Sequence, residues 1–98
     1  MPEEILSVAI FESLPGMEQA SLDTMRALIG ALERGGYCRD AFYRDSQGTH
    51  HILFRYWKSE ATRRAALEDA EVLRCWAKLA GEIEIVRIYE RLEEITFA

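Results

Sequence analysis

Ninety-eight residues make one domain, and a formal charge of −5 argues against non-specific nucleic-acid binding, which needs a basic surface. The balance of 49% apolar to 30% charged residues is that of a soluble globular domain, and no apolar run approaches the ~18 residues of a membrane span. The opening MPEEILSVAIF is acidic before it turns apolar, the reverse of a secretory signal. Cys38 and Cys75 stand apart, without the spacing of a zinc site or a disulfide framework. The expectation is a cytoplasmic protein that engages neither membrane nor nucleic acid and holds no metal. A domain this short buries only a modest core and often gains stability by pairing with a second copy.

Ile5 to Phe11 (ILSVAIF) is apolar on both faces except at Ser7, which suits a central strand covered on both sides. Leu14-Pro15-Gly16 breaks it. A helix is expected from about Met17 to Arg34, where Leu22, Met25, Leu28, Ile29 and Leu32 recur at helical spacing. Glu18 and Asp23 lie near its start and Arg34 near its end, as the helix dipole favours, and Gly35-Gly36 terminates it. Tyr37–Asp45 reads as a second strand, Ser46-Gln47-Gly48 as a hairpin turn and Thr49–Trp57 as the returning strand. At Lys58-Ser59-Glu60 the spacing turns helical, with Ser59 as cap. Two short helices follow, roughly Glu60–Glu68 and Ala70–Ala80, stopped by Gly81, and Ile83–Leu92 is the last strand. The order β-α-β-β-α-β is the ferredoxin-like split arrangement, α+β with an antiparallel sheet.

A strand, a long helix ending in Gly-Gly-Tyr, a hairpin, and a strand ending in Tyr-Trp-Lys-Ser-Glu-Ala resemble the antibiotic-biosynthesis monooxygenase (ABM) domain. Trp76, about twenty residues beyond, fits the same pattern, and the similarity spans Ile5 to Leu92. The resemblance implies a homodimer whose two sheets face each other as an α+β barrel, often with the last strand reaching the partner. It also implies activities that range from cofactor-independent oxidation of aromatic polyketides and quinols to haem degradation. The haem-degrading branch uses an asparagine on the first strand and an iron-ligating histidine on the helix after the third. This sequence has no asparagine and reads Arg74-Cys75-Trp76-Ala77-Lys78 where that histidine would stand, so the resemblance does not extend to haem chemistry.

Strand alternation puts His51, Leu53, Arg55 and Trp57 on one face of the third strand, and His50, Ile52, Phe54 and Tyr56 on the other. A cavity against the first set could hold a planar aromatic molecule. Trp57 would stack on it, Arg55 would stabilise a phenolate, and His51 could move a proton near neutral pH. Alternation also groups Arg87 and Tyr89 with Ile83 and Ile85, and Tyr37 with Tyr43. The expected catalytic residues are therefore His51 and Arg55, with Trp57, Arg87 and Tyr89 binding substrate and no cofactor required.

Plainer roles compete with each of these. A histidine after a turn is commonly surface, Trp57 suits a strand-to-helix corner, and Trp76 with Leu73 and Leu79 resembles a core stripe. Arg63 and Arg64 read as solvated charges near Glu60 and Glu68, and Cys75 as a small buried hydrophobe. The competing functions are a cofactor-independent monooxygenase acting on an aromatic or quinol-like molecule, a module that binds such a ligand unchanged, and a structural dimer filled by its own side chains.

Overall fold

The apolar run at the start of the chain forms the first of four strands in a computed structural model that describes residues 4–97. The elements are β1 (Ile5–Ser13), α1 (Glu18–Arg34), β2 (Cys38–Arg44), β3 (His51–Trp57), α2 (Glu60–Ala66), α3 (Ala70–Leu79) and β4 (Ile83–Leu92). The sheet order is β2-β3-β1-β4 with every neighbouring pair antiparallel, as the ferredoxin-like arrangement requires. β1 is internal, as its lack of a polar face implies, but it is covered by helices on one side only and not on both as expected. Its Ile5, Ser7, Ala9 and Phe11 lie opposite Trp57, Arg55, Leu53 and His51 and share a face with them, here called the inner face.

The helices pack on that inner face. Ile5, Phe11, Leu53 and Trp57 join Met25, Leu28, Leu32, Val72 and Leu79 in one buried cluster. α1 also buries two polar residues, and both are satisfied: Ser21 donates to the Glu18 carbonyl and Thr24 to that of Ala20. The outer face, with Leu6, Val8 and Ile10 of β1 beside Tyr56, Phe54 and Ile52 of β3, carries no helix. The molecule is accordingly only 16 Å deep, two layers rather than three.

Element ends differ from the sequence expectation for local reasons. β3 begins at His51 rather than Thr49, because the Asp45 carboxylate takes the Thr49 N–H (2.9 Å) and hydroxyl (3.1 Å) and so holds the turn wide. β2 begins at Cys38 because Tyr37 still belongs to the stop of α1: its N–H reaches the Leu32 carbonyl while Gly36 N–H reaches that of Glu33. This Schellman pairing needs a left-handed residue, and Gly36 supplies it at φ +69°. α2 ends at Ala66 since Asp69, not the residues before it, caps α3 through its carboxylate to the N–H groups of Glu71 and Val72. Ser59 caps α2 in a reciprocal box with Thr62, as its position in the sequence implies.

Candidate functional site

Between the inner face and the helices lies a cavity of about 580 Å³. Ser7, Ala9, Leu53, Arg55 and Trp57 form its sheet wall. Met25, Leu28, Leu67, Trp76 and Leu79 form the helix wall. Ile83, Ile85, Ile88 and Glu90 line the β4 side. That side is the mouth: Ile85 and Ile88 remain 47% and 51% exposed although they line the cavity, because β4 is an edge strand that the helices leave uncovered. The volume and mostly apolar lining suit a small planar ligand.

Arg55 lies on the sheet wall beside Trp57, with its guanidinium carbon 5.5 Å from the Trp57 ring centre. Its charge is engaged by a residue the sequence reading passed over. Arg55 Nε donates to Asp40 Oδ1 at 2.7 Å and Nη2 donates to Oδ2 at 3.2 Å, a two-pronged ion pair. The Asp40 side chain is 2% exposed and that of Arg55 is 9% exposed. The hairpin register places the two residues directly opposite each other. Asp40 engages Nε and Nη2, leaving Nη1 as the guanidinium nitrogen outside the pair, and Arg55 is among the residues that line the cavity. Cys38 sits close by, its Sγ 3.8 Å from Asp40 Oδ1. Burial, then the Asp40 charge, pushes its thiol up to about 12, so it is no nucleophile at neutral pH.

His51 shares the inner face with Arg55 as the alternation implies, but it does not line the cavity. It is 4% exposed and shares a three-ring cluster with Phe11 and Phe42, its centre 5.4 and 5.5 Å from theirs, while the two phenylalanines stand 5.9 Å from each other. Neither ring nitrogen has a hydrogen-bond partner among the described residues. Burial and the positive charge of Arg44 lower its pKa, so the imidazole is neutral near pH 7. Phe11 is the cavity-lining residue that stacks on it. His50, by contrast, is a partly exposed turn residue, 3.1 Å from Glu12 and 3.3 Å from Asp45.

The grouping of Arg87 and Tyr89 with Ile83 and Ile85 is overturned by a β-bulge. Phe11 lies opposite Ile85 and Ile10 opposite Arg87, so Val86 is an extra residue in β4. One inserted residue reverses the phase beyond it, here as far as Tyr89, after which a second register shift intervenes before Leu92. Ile88 and Glu90 therefore line the cavity, while Arg87 and Tyr89 lie opposite Ile10 and Val8 on the outer face, the arginine 5.7 Å from the tyrosine ring. Tyr37 and Tyr43 are separated too. Tyr37 precedes β2 and its hydroxyl donates to Asp69 at 2.8 Å, whereas Tyr43 packs edge-on against Phe54 on the outer face.

Trp57 and Trp76 both line the cavity, so each serves core and cavity at once, although Leu73 beside Trp76 is exposed. At the mouth, Arg63 bridges Glu60 (3.6 Å) and Glu90 (3.9 Å), and Arg91 reaches Glu60 at 3.4 Å, tying α2 to β4. Among the described residues no helix is long and apolar enough to cross a membrane.

No protein-family model and no curated protein matches the chain. Solved structures do. SnoaB of Streptomyces nogalater, a cofactor-independent oxygenase, superposes with TM-score 0.77 at 14% identity over 95% of this chain and 97% of that one. A Chloroflexus aurantiacus protein, described provisionally as an antibiotic biosynthesis monooxygenase, superposes with TM-score 0.77 at 13% identity over 97% of both chains. A Bacteroides thetaiotaomicron protein of unknown function, suggested to be an oxidoreductase, gives TM-score 0.79 at 10% identity over 92% of this chain and 99% of that one. At such identities the likeness is one of architecture, and the chain has the ferredoxin-like α+β fold of the antibiotic-biosynthesis monooxygenase structures.

Proposed function

We propose that this protein is a cofactor-independent monooxygenase acting on a planar phenol or quinol bound in the cavity, and that it works as a homodimer. The observation that carries the reading is the cavity itself: about 580 Å³, lined by Trp57, Trp76 and an arginine, Arg55, whose Nη1 lies outside the Asp40 pair. An electron-rich phenol reacts with O₂ once deprotonated; it enters neutral and passes its proton to a carboxylate of the same cavity, so the oxyanion that Arg55 steadies adds no net charge to the site. One oxygen atom enters the ring carbon, which becomes a carbonyl, and the other leaves as water with the hydrogens removed. Glu90 is the carboxylate among the lining residues, its side chain 78% exposed at the mouth beside Arg63, and this reading assigns it the proton. His51 stands behind Phe11, so in this reading it has no contact with substrate. Arg87 and Tyr89 face outward and would bind substrate only if the site extended around the sheet.

A second reading, ligand binding without turnover, is favoured by one specific fact: no imidazole lines the cavity. Oxygen uptake by metal-stripped protein with a panel of hydroquinones and polycyclic phenols separates the two. Uptake above the spontaneous rate is expected, reduced roughly 10-fold or more by Glu90→Gln, in line with the loss of a general base. His51→Ala should retain it. Loss of turnover in His51→Ala but not in Glu90→Gln would return the base to His51. No uptake with any compound leaves the binding module.

A further inference from the structure

We propose that the buried Arg55–Asp40 pair makes the cavity select aromatic ligands that arrive neutral, phenols and ketones, over carboxylates of the same shape, with Asp40 as the positioning residue that sets the preference. The inference deepens the function proposed above and rests on reading the cavity as a small-molecule site.

A free guanidinium is a receptor for carboxylates, which it grips with two parallel N–H···O bonds. Here that grip is taken from within. Asp40 occupies Nε and Nη2, and the carboxylate is almost sealed from water, so the charge of Arg55 is cancelled where solvent cannot screen it. A ligand carboxylate brought to Nη1 would be a second anion on one cation, leaving a net negative charge in a desolvated site. A phenolic or ketonic oxygen accepts the same hydrogen bond without that excess charge. No other cation on the cavity wall restores the balance: Arg63 stands at the mouth and is shared between Glu60 and Glu90. Cys38 remains an uncharged thiol. Ser7 lies directly opposite Arg55 on β1, lines the cavity and has no side-chain partner among the described residues. Its hydroxyl can donate to an oxygen of either ligand class, so the preference rests on the charge balance of the Arg55–Asp40 pair.

The test is equilibrium binding of 2-naphthol and 2-naphthoate near neutral pH, where the first is neutral and the second ionised. It is read by quenching of Trp57 and Trp76, the two tryptophans of the chain and both in the cavity wall. Wild type should bind the naphthol about 10-fold or more tightly than the naphthoate, and Asp40→Asn, which frees the arginine charge, should raise naphthoate affinity about 10-fold and erase or invert the order. A disturbed fold would not move the two ligands in opposite directions. Should Asp40→Asn fail to fold, the doubly apolar Arg55→Leu/Asp40→Leu protein carries the test, since buried ion pairs are often replaceable by apolar pairs. It should lose naphthol affinity about 5-fold or more while naphthoate stays weak, as expected for a lost buried hydrogen bond. Naphthoate bound as tightly as naphthol by wild type, or an unchanged ratio in Asp40→Asn, overturns the proposal. Failure of wild type to bind either probe removes the cavity reading together with it. The predicted preference without oxygen uptake keeps this inference and removes only the oxygenase.

Discussion

His51 is the residue whose surroundings differ most from those its strand position suggests. Alternation correctly assigns its face, but the sequence does not say that the ring joins Phe11 and Phe42 in a buried cluster of three. A histidine sealed without a partner is a group the folded state resists protonating. The unfolded chain takes that proton near pH 6.5, so it binds more protons than the native state below that point. Stability is therefore full above about pH 6.5 and falls as the pH drops towards the lower folded value, with no further loss from this group beneath it. The charges that bear on the ring are Arg44, which opposes protonation, and Glu18 and Asp45, which favour it. His51→Phe keeps the aromatic stack and removes the titration. Its melting temperature should fall less than that of wild type between about pH 7.5 and about pH 5, as read by thermal melts across that range. Equal pH slopes for the two proteins would mean that His51 is already paired or hydrated in solution.

Among elements, the stop of α1 shows how two adjacent glycines do different work. Gly36 meets the left-handed turn of the Schellman pairing at φ +69°. Gly35 has ordinary helical angles, but a Cβ there would fall 2.1 Å from the Tyr37 ring, whose hydroxyl is bonded to the Asp69 that caps α3. Gly36→Ala should cost about 1 kcal/mol, the strain of a left-handed alanine. Gly35→Ala should cost about 1–3 kcal/mol through overpacking, and that cost should nearly vanish in a Tyr37→Ala background. Urea unfolding of the four-member cycle measures the coupling, and additive costs would show that the ring is not what Gly35 accommodates. The glycine pair marks the helix end in the sequence because its signal is local. The Val86 bulge carries no such mark, since VRIYER reads as uninterrupted strand and only pairing with β1 reveals the extra residue. The Arg55–Asp40 pair lies between these cases. A hairpin turning near Gln47 and Gly48 sets the two residues opposite each other, so the pair was available from register, although not from composition or motif. Cavity walls drawn from both layers depend on how the helices sit on the sheet, which strand alternation does not encode.

At the scale of the whole molecule, the outer sheet face is the surface that the proposed homodimer would use. Leu6, Ile10, Ile52, Phe54 and Tyr56 are partly exposed on an apolar face that no helix covers, around a buried Val8 and with Tyr89 and Tyr43 at its margins. Ile95 and Phe97 beyond β4 are 77% and 91% exposed, so the chain also ends in apolar side chains that its own core leaves unused. Apolar faces of this extent mark interaction sites in soluble proteins. A second copy is the occupant the fold favours, because a sheet face apolar on both sides of a two-fold axis is self-complementary. Pairing sheet to sheet would also place Arg87 and Tyr89 in the interface, where the chain's own cavity cannot use them. Sedimentation equilibrium at micromolar concentration should return a dimer. Phe54→Glu, which sets a charge in the middle of that face, should return a folded monomer, with dimer affinity weakened about 100-fold or more, as for a central residue of a buried patch. Phe54 sits away from the cavity, so naphthol binding should survive in that monomer if each cavity is built by one chain alone. Loss of binding together with the dimer would mean that the second copy closes the β4 mouth. A stable wild-type monomer would leave the outer face without the partner proposed for it.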